Sequence, residues 1–455
     1  MATRHSCDVI VIGAGLSGLY AARLLAAAGV DVLVLEAQSR VGGRTFTVQF
    51  GDGTFVDHGG QWISPGQHCI VNLADELGVR LFPSWSEGAT VHWRSGKRTV
   101  SNDLFLREDS DAAVVARDAA KVLSGMAETL SPEEPWAAPQ SAEWDRTTLH
   151  SWLTIHIGSE PARRALATAI EGVFARNSMP TSLLAALFWI RCGDPLTPFL
   201  TTTDLGPERR FNNGAQQLSQ RMADGLGKRV IMDAPATSIA HRSDGVVVTA
   251  AQRFISARRA VIAMPPALAG RLHYEPALPA LRDHLTQRVP MRWAIKVHCL
   301  YRRRFWAEEG LSGQVISDAN AVRVCADNSP LSGTPGVLVG FIEEVEASRL
   351  VKMSPMERRA EVLAALVRYF GPMAGEPVEY LEKSWGDDPF CRGVDGGYWP
   401  AGVWTGYGSA LRAPIGRLHW AGTETASIWN GKMEGALLAG QRAADEVLCS
   451  GYSQA

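Results

Sequence analysis

The 455-residue chain lacks most of what would commit it to a metal, a disulfide scaffold, a membrane or a nucleic acid. Its seven cysteines, at positions 7, 69, 192, 299, 325, 391 and 449, are odd in number and form no CxxC pair. Zinc-ligand spacing is therefore absent, a disulfide framework is not expected in so long a chain, and a reducing compartment fits best. No run approaches the roughly 18 consecutive apolar residues of a membrane helix. The longest candidate, Leu183 to Ile190, reads as part of a buried helix. The start, MATRHSCDVIVIG, has neither the basic opening nor the small-residue cleavage site of a signal peptide. A soluble, cytoplasmic chain with no membrane partner is the expectation. A net charge of −2, without blocks of like charge, gives no reason to expect nucleic acid. No internal repeat or low-complexity tract occurs.

What is present is an ordinary globular composition, 46% hydrophobic and 20% charged, in a chain too long for one core. Two or more domains are expected. The clearest unit is at the start. Residues 8–13, DVIVIG, read as a continuous apolar strand of the kind buried in a parallel sheet. Leu16 to Ala28 reads as a helix stopped by Gly29, and Val30 to Glu36 as a second strand, which together make a βαβ unit. Gly13, Gly15 and Gly18 form GxGxxG between strand and helix. Gly13 permits the tight turn, Gly15 admits a pyrophosphate to the backbone, and Gly18 lets the helix pack on the sheet. Ala14 and Ser17 lie within this turn, where the free N–H groups of a helix start face phosphate. Glu36, 18 residues beyond Gly18, stands where a carboxylate accepts from a ribose hydroxyl. A dinucleotide is implied, but NAD and FAD are not separated by this unit.

Further along, residues 50–65 read as a glycine-rich loop and residues 131–139 as an exposed proline-rich connector. The stretch 146–192 is helical in pattern. Residues 229–264 read as strands with a turn at Ser243-Asp244-Gly245, and 293–301 and 336–342 as further strands. Ser354 to Glu357 spells a capping box, whose helix runs to Gly371-Pro372. The last helix covers about Glu434 to Leu448. Such alternation favours an α/β or mixed (α+β) two-domain architecture.

Glu36-Ala37 leads into Arg40-Val41-Gly42-Gly43-Arg44, and this EAxxRxGGR resembles the flavin-containing amine oxidase family, monoamine oxidases above all. Asp57 to Trp62, DHGGQW, is similar to the family's glycine-rich flavin loop. Lys296, Trp385 and the segment His419 to Ala444 continue the resemblance in order along nearly the whole chain. It implies FAD, with Arg40, Gly42, Gly43 and Arg44 closing over the flavin and pyrophosphate, an arginine answering phosphate charge. Gly60, Gln61 and Trp62 belong to the flavin loop by the same resemblance. Ala236 matches a position that holds the adenine. Gly422, Thr423 and Glu424 match positions near the ribityl and phosphates. Met433 and Ala436 open a helix whose start would favour negative charge on the reduced ring. Lys296 matches a lysine that holds a water near the flavin, and Trp385 a residue packed on it. The implied flavin domain is discontinuous, 1–80, 208–290 and 387–455, built on a Rossmann-like frame. The substrate domain, 81–207 and 291–386, would combine mixed sheet with helices.

The sequence departs from the family where substrate would sit. The resemblance places Asp395 and Lys432 at the two positions that hold tyrosines in monoamine oxidases. Charged groups thus replace an aromatic cage. They pair with each other, or Asp395 holds an ammonium and Lys432 a carboxylate, or Lys432 serves as a base if burial lowers its pKa. Ungapped alignment adds Glu171, Leu200 and Pro207 to the cavity lining. The family's flavin-linking cysteine is matched by Val394, with Cys391 three positions early, so non-covalent FAD is expected. A C-terminal membrane anchor like the family's is not expected.

The activity implied is oxidation of an amine C–N bond to an imine, which hydrolyses to aldehyde or ketone while O2 becomes H2O2. Partners would be a small amine and O2. The alternatives are a flavin-dependent C–C desaturase and a flavoprotein-like binding module without turnover. The identity of the amine and the oligomeric state, a homodimer among the options, stay open.

Overall fold

The computed structural model describes residues 3–102, 110–174, 181–193, 196 and 208–450. Two large sheets organise the chain. In the first, the strands run in the order Val230–Ile231, Val32–Leu35, Thr3–Ile12, Arg253–Ile262, Val246–Ala250, Ala236–His241 and His273–Glu275, with Leu418–Trp420 pairing in parallel beside the end of Arg253–Ile262. The first four are mutually parallel. Both faces are covered, which is why DVIVIG is apolar at every position from Val9 to Ile12. Val9 and Val11 join Leu19, Leu25 and the last helix in one core, while Ile10 and Ile12 join Ile239, Ile262 and Trp420 in another.

The first helix, Leu16–Ala27, and the last, Met433–Cys449, pack on this sheet. Gly440 allows the contact, since a Cβ there would lie 2.3 Å from the Ser17 carbonyl oxygen. The first strand is longer than the apolar run suggested, beginning at Thr3, because its early residues still pair with Arg253 onward. The second is shorter, and Glu36 lies just beyond its end.

The second sheet orders Glu379–Ser384, Ala294–Tyr301, Gly336–Glu343, Val324–Asp327, Leu311–Ser317, Ala89–Arg94 and Lys97–Ser101. Ile295, Val297 and Cys299 face a core shared with Val362, Leu366 and Phe370 of the helix Pro355–Phe370. That helix opens on the expected capping box of Ser354 and Glu357. Period-two alternation sends Lys296 and His298 to the opposite face, toward residues 57–61. The helices Asp111–Glu128, Leu149–His156, Glu160–Phe174 and Leu183–Cys192 form a third layer. No helix among the described residues is long and apolar enough to cross a membrane.

Two expectations are corrected. Residues 131–139 are not simply an exposed connector: Pro135 is buried and Trp136 stacks on Trp404 at 6.0 Å, since an indole gains more by burial than proline-rich composition suggests. The glycine-rich stretch 50–65 holds two short strands, Phe55–Asp57 and Trp62–Ile63. The second pairs with Arg209–Phe211, which also pairs with Leu81–Pro83.

Candidate functional site

The first βα turn leaves its backbone open to a group of phosphate size. Gly13 has φ +104°, and a Cβ there would lie 2.7 Å from the Ala263 carbonyl oxygen. At Gly18 a Cβ would lie 2.0 Å from the Gly13 carbonyl oxygen, so only glycine lets the helix sit so close. Gly15 is different: a Cβ would meet nothing nearer than 3.9 Å, leaving open space in front of its backbone. No side chain caps the helix there, and the buried Ser17 hydroxyl finds no partner among the described residues. Free N–H groups, an orphan hydroxyl and an open glycine together fit a pyrophosphate. Glu36 accepts from Ala14 N–H at 2.8 Å and Gln38 N–H at 2.9 Å, and each oxygen keeps a lone pair for a hydroxyl. Burial pushes its pKa up against these hydrogen bonds. Ala37 continues the same loop.

The next loop turns through Gly42 and Gly43, at φ +106° and +55°. Arg40 donates to the Gly43 carbonyl at 3.0 Å and lies 4.2 Å from the Phe46 ring. Arg44 reaches across the chain to Glu424, 2.6 and 3.2 Å at its two contacts, and donates to the Asp395 carbonyl at 3.1 Å. Glu424 is fully buried. The two residues read separately from sequence as cofactor groups are thus partners of one another. Gly422 sits where a Cβ would lie 2.7 Å from the Met264 carbonyl oxygen, and Thr423 donates to the Lys432 carbonyl at 2.8 Å. Lys432 is the residue before the last helix, which begins at Met433 without a side-chain cap. Met433 meets the flavin-loop glycine, its Cγ lying 3.3 Å from where a Gly60 Cβ would be. Ala436 is buried in the first turn, and Ala236 opens the strand paired with Ala250. Glu434 accepts from Cys69 and Ile70 N–H groups, capping the helix His68–Glu76 from outside.

Lys296 is buried between the second sheet and the flavin-like loop. Its Nζ donates to the Gly59 carbonyl at 2.9 Å and to Gln61 Oε1. The Trp62 and Phe341 rings lie 5.2 and 5.5 Å from it. Burial pushes the ammonium down to about 7, against attraction from Asp57, with Arg210 lowering it further. Asp57 accepts from Thr47 Oγ1 at 2.5 Å and Ala215 N–H at 3.0 Å. Desolvation raises its pKa. His58 and His298, ring centroids 5.3 Å apart, are both held neutral; burial takes His58 to about 3 and His298 well below its ordinary value, with Lys296 adding to both. Trp385 is buried and donates to the His58 carbonyl at 2.8 Å.

The Asp395 carboxylate lies 3.4 Å from Arg292, which also lies 3.6 Å from Glu343 and 3.3 Å from Glu344. Three carboxylates therefore share one buried guanidinium. Glu171 lies in the helix Glu160–Phe174, but its side chain is outside the described residues, as are Leu200 and Pro207 entirely. Among the described residues no cluster of three His, Cys, Asp or Glu could hold a metal.

Sequence reasoning missed Phe341, Arg210, Asn328, Arg292 and the histidine pair. Phe341 is opposite Lys296 in the sheet register, which no local pattern displays. Alternation from Lys296 could have flagged His298, two residues along the same strand.

A family model described as flavin containing amine oxidoreductase matches residues 16–448. A flavin-containing amine oxidase of Oncorhynchus mykiss is 37% identical over 98% of this chain and 87% of its own. An L-amino acid dehydrogenase of Synechocystis sp. is 34% identical over 98% of this chain and 96% of its own. Among solved structures, a putrescine oxidase bound to putrescine superposes with a TM-score of 0.93 at 33% identity, covering 98% of this chain and 100% of that one.

Proposed function

Since the chain belongs to the flavin-containing amine oxidoreductase family, and so is a flavin-dependent enzyme of amine oxidation, we propose that it holds FAD without a covalent bond and passes electrons from a cationic amine to O2. The observation that carries this is the buried Lys296, fixed by Gly59 and Gln61 of the loop that also meets Met433 at the start of the last helix. FAD, when bound, supplies the two-electron acceptor for the C–N bond. The chain's own groups do the rest. The turn at Gly13 to Ser17 takes the pyrophosphate, and Glu36 the ribose. Lys296 holds a water or a proton at its Nζ. The N-terminus of Met433–Cys449 offers N–H groups to developing negative charge.

With the substrate amine beside Asp395, the carboxylates of Asp395, Glu343 and Glu344 gathered on Arg292 would form an acidic wall that favours ammonium-bearing amines. Lys432 sets the other charge. The product imine hydrolyses in water to a carbonyl compound and ammonia or a smaller amine, and O2 leaves as H2O2. A diamine suits the acidic wall. A zwitterionic amino acid suits Asp395 and Lys432 together, and the similarity to an amino acid dehydrogenase keeps an acceptor other than O2 as the second reading.

Non-covalent binding is supported by the residues near the flavin-linking position. Val394 carries no nucleophile. Cys391 is buried with its thiol pushed up to about 12, and its sulfur lies 4.0 Å from Gln38. Anaerobic addition of an amine panel containing monoamines, putrescine and amino acids is expected to bleach the flavin, with peroxide formed on readmission of air. No bleaching by any amine overturns the activity; bleaching without peroxide selects the dehydrogenase. Acid precipitation is expected to release the yellow colour into the supernatant, and colour in the pellet refutes non-covalent FAD.

A further inference from the structure

A buried chain of polar side chains runs from Arg210 to Lys296 and fixes its own direction. Arg210 donates to the Asn328 carbonyl at 3.0 Å and to its Oδ1, and also to the Ser329 carbonyl. Gln61 Nε2 donates to the same Asn328 Oδ1 at 2.6 Å. Gln61 Oε1 in turn accepts from Lys296. Gln61, Asn328 and Arg210 are 1%, 2% and 6% exposed, so water does not replace these contacts freely.

The order of donors and acceptors follows from chemistry. A guanidinium has only donors, so Asn328 must turn its oxygen to Arg210. That oxygen has two lone pairs, and the second takes a donor, so Gln61 must present its NH2 group. With its NH2 turned to Asn328, Gln61 faces Lys296 with its carbonyl oxygen. Two positions on the lysine nitrogen are thereby assigned, one to Gly59 and one to Gln61. One position remains for a water or reacting group, whether as an N–H or as a lone pair.

We propose that Arg210 and Asn328 are positioning residues, which act through the Gln61 amide to aim the one uncommitted position of Lys296 at the reaction centre. This rests on the amine oxidase reading given above. Arg210 comes from the strand Arg209–Phe211, held between Trp62–Ile63 and Leu81–Pro83, and Asn328 follows Val324–Asp327. The relay therefore joins the flavin-like loop to the second sheet. Asn328 is anchored independently by its backbone N–H, 2.7 Å from the Val337 carbonyl, so its side chain can be changed while its backbone is held.

The test is a double-mutant cycle in the holoenzyme. Asn328→Leu is expected to slow anaerobic flavin reduction by the best amine about tenfold, the worth of one well-formed hydrogen bond. In a Lys296→Met background the same change is expected to cost less than about twofold, because the group it acts through is gone. Equal losses in both backgrounds overturn the proposal. Asn328→Asp, which still accepts from Arg210 and Gln61, is expected to keep most of the rate that Asn328→Leu loses; an equal loss overturns it too. A second readout needs no turnover. In the pH titration of the resting flavin absorption, the Lys296-dependent step is expected to shift to lower pH in Asn328→Leu, since a freed Gln61 amide can offer N–H instead of oxygen to the lysine. Asp57, Arg210, Asp395, His58 and His298 are the other charged or titratable groups around Lys296; of these Arg210 alone donates to the Asn328 side chain, and in Asn328→Leu it keeps the Asn328 and Ser329 carbonyls. An unmoved titration overturns the proposal. If no amine bleaches the wild type, the functional reading fails, and the resting titration still decides the orientation.

Discussion

Arg44 and Glu424, 380 residues apart, bind each other at two points with nitrogen–oxygen distances of 2.6 and 3.2 Å. The pair closes the loop after the second strand onto the turn that leads to the last helix. Arg44→Met leaves a fully buried carboxylate without its cation, and is expected to lower stability by about 3–5 kcal/mol. Arg44→Met with Glu424→Leu removes both charges and is expected to recover much of that loss, while retaining less flavin than wild type. Denaturant melts and the flavin-to-protein absorbance ratio measure the two effects separately. A double variant as unstable as Arg44→Met would sink this account.

Gly15 and Gly18 stand in one motif but do different work. Gly15→Ala meets nothing within 3.9 Å, so the apoprotein is expected to melt within a few degrees of wild type while binding FAD poorly. Gly18→Ala drives a methyl to 2.0 Å from the Gly13 carbonyl and is expected to destabilise by more than about 3 kcal/mol. Thermal melts of apoprotein and FAD titration of each variant check the contrast.

Lys296 titrates near 7 in the folded chain and near 10.5 in the unfolded one, because burial disfavours the ammonium. Between these values the unfolded chain binds more protons, so folding stability rises with pH. Below about 7 the full cost is present; above about 10.5 it has gone. The stability gain of Lys296→Met over wild type is therefore expected to shrink from pH 7 to 10.5. Urea melts at three pH values across this window test it, and a constant gain would contradict it.

His58 and His298 carry the same sign in a lower window of pH. Both are held neutral by burial, and the unfolded chain protonates first as pH falls below 6.5. Stability is expected to fall between pH 6.5 and about 3, and His298→Leu to flatten that fall. Unchanged acid sensitivity in the variant would refute this.

Asp395 and Lys432 set substrate preference in the proposed function. Lys432→Tyr and Asp395→Tyr are expected to move preference from zwitterionic or dicationic amines toward apolar monoamines. Ratios of kcat/KM across the amine panel measure this; unchanged ratios would show that neither side chain selects substrate. Because Asp395 also answers Arg292, its variant is expected to cost stability as well.

The sequence by itself determined the parts whose physics is local. A helix that must approach a strand needs glycine at Gly18, a phosphate turn needs Gly13 and Gly15, and a strand covered on both faces reads apolar without alternation. The capping box at Ser354 is legible for the same reason: donor and acceptor lie within four residues. Family resemblance extended this to the flavin-like loop and to Lys296. Tertiary structure decided the partnerships. Arg44 answers Glu424, Asp395 answers Arg292, and Lys296 is wired through Gln61 and Asn328 to Arg210. Such pairs join residues up to 380 positions apart, and no periodicity records them. A buried charge must find its counter-charge wherever the packed fold supplies one, so its partner is fixed only when distant strands and loops have closed around it.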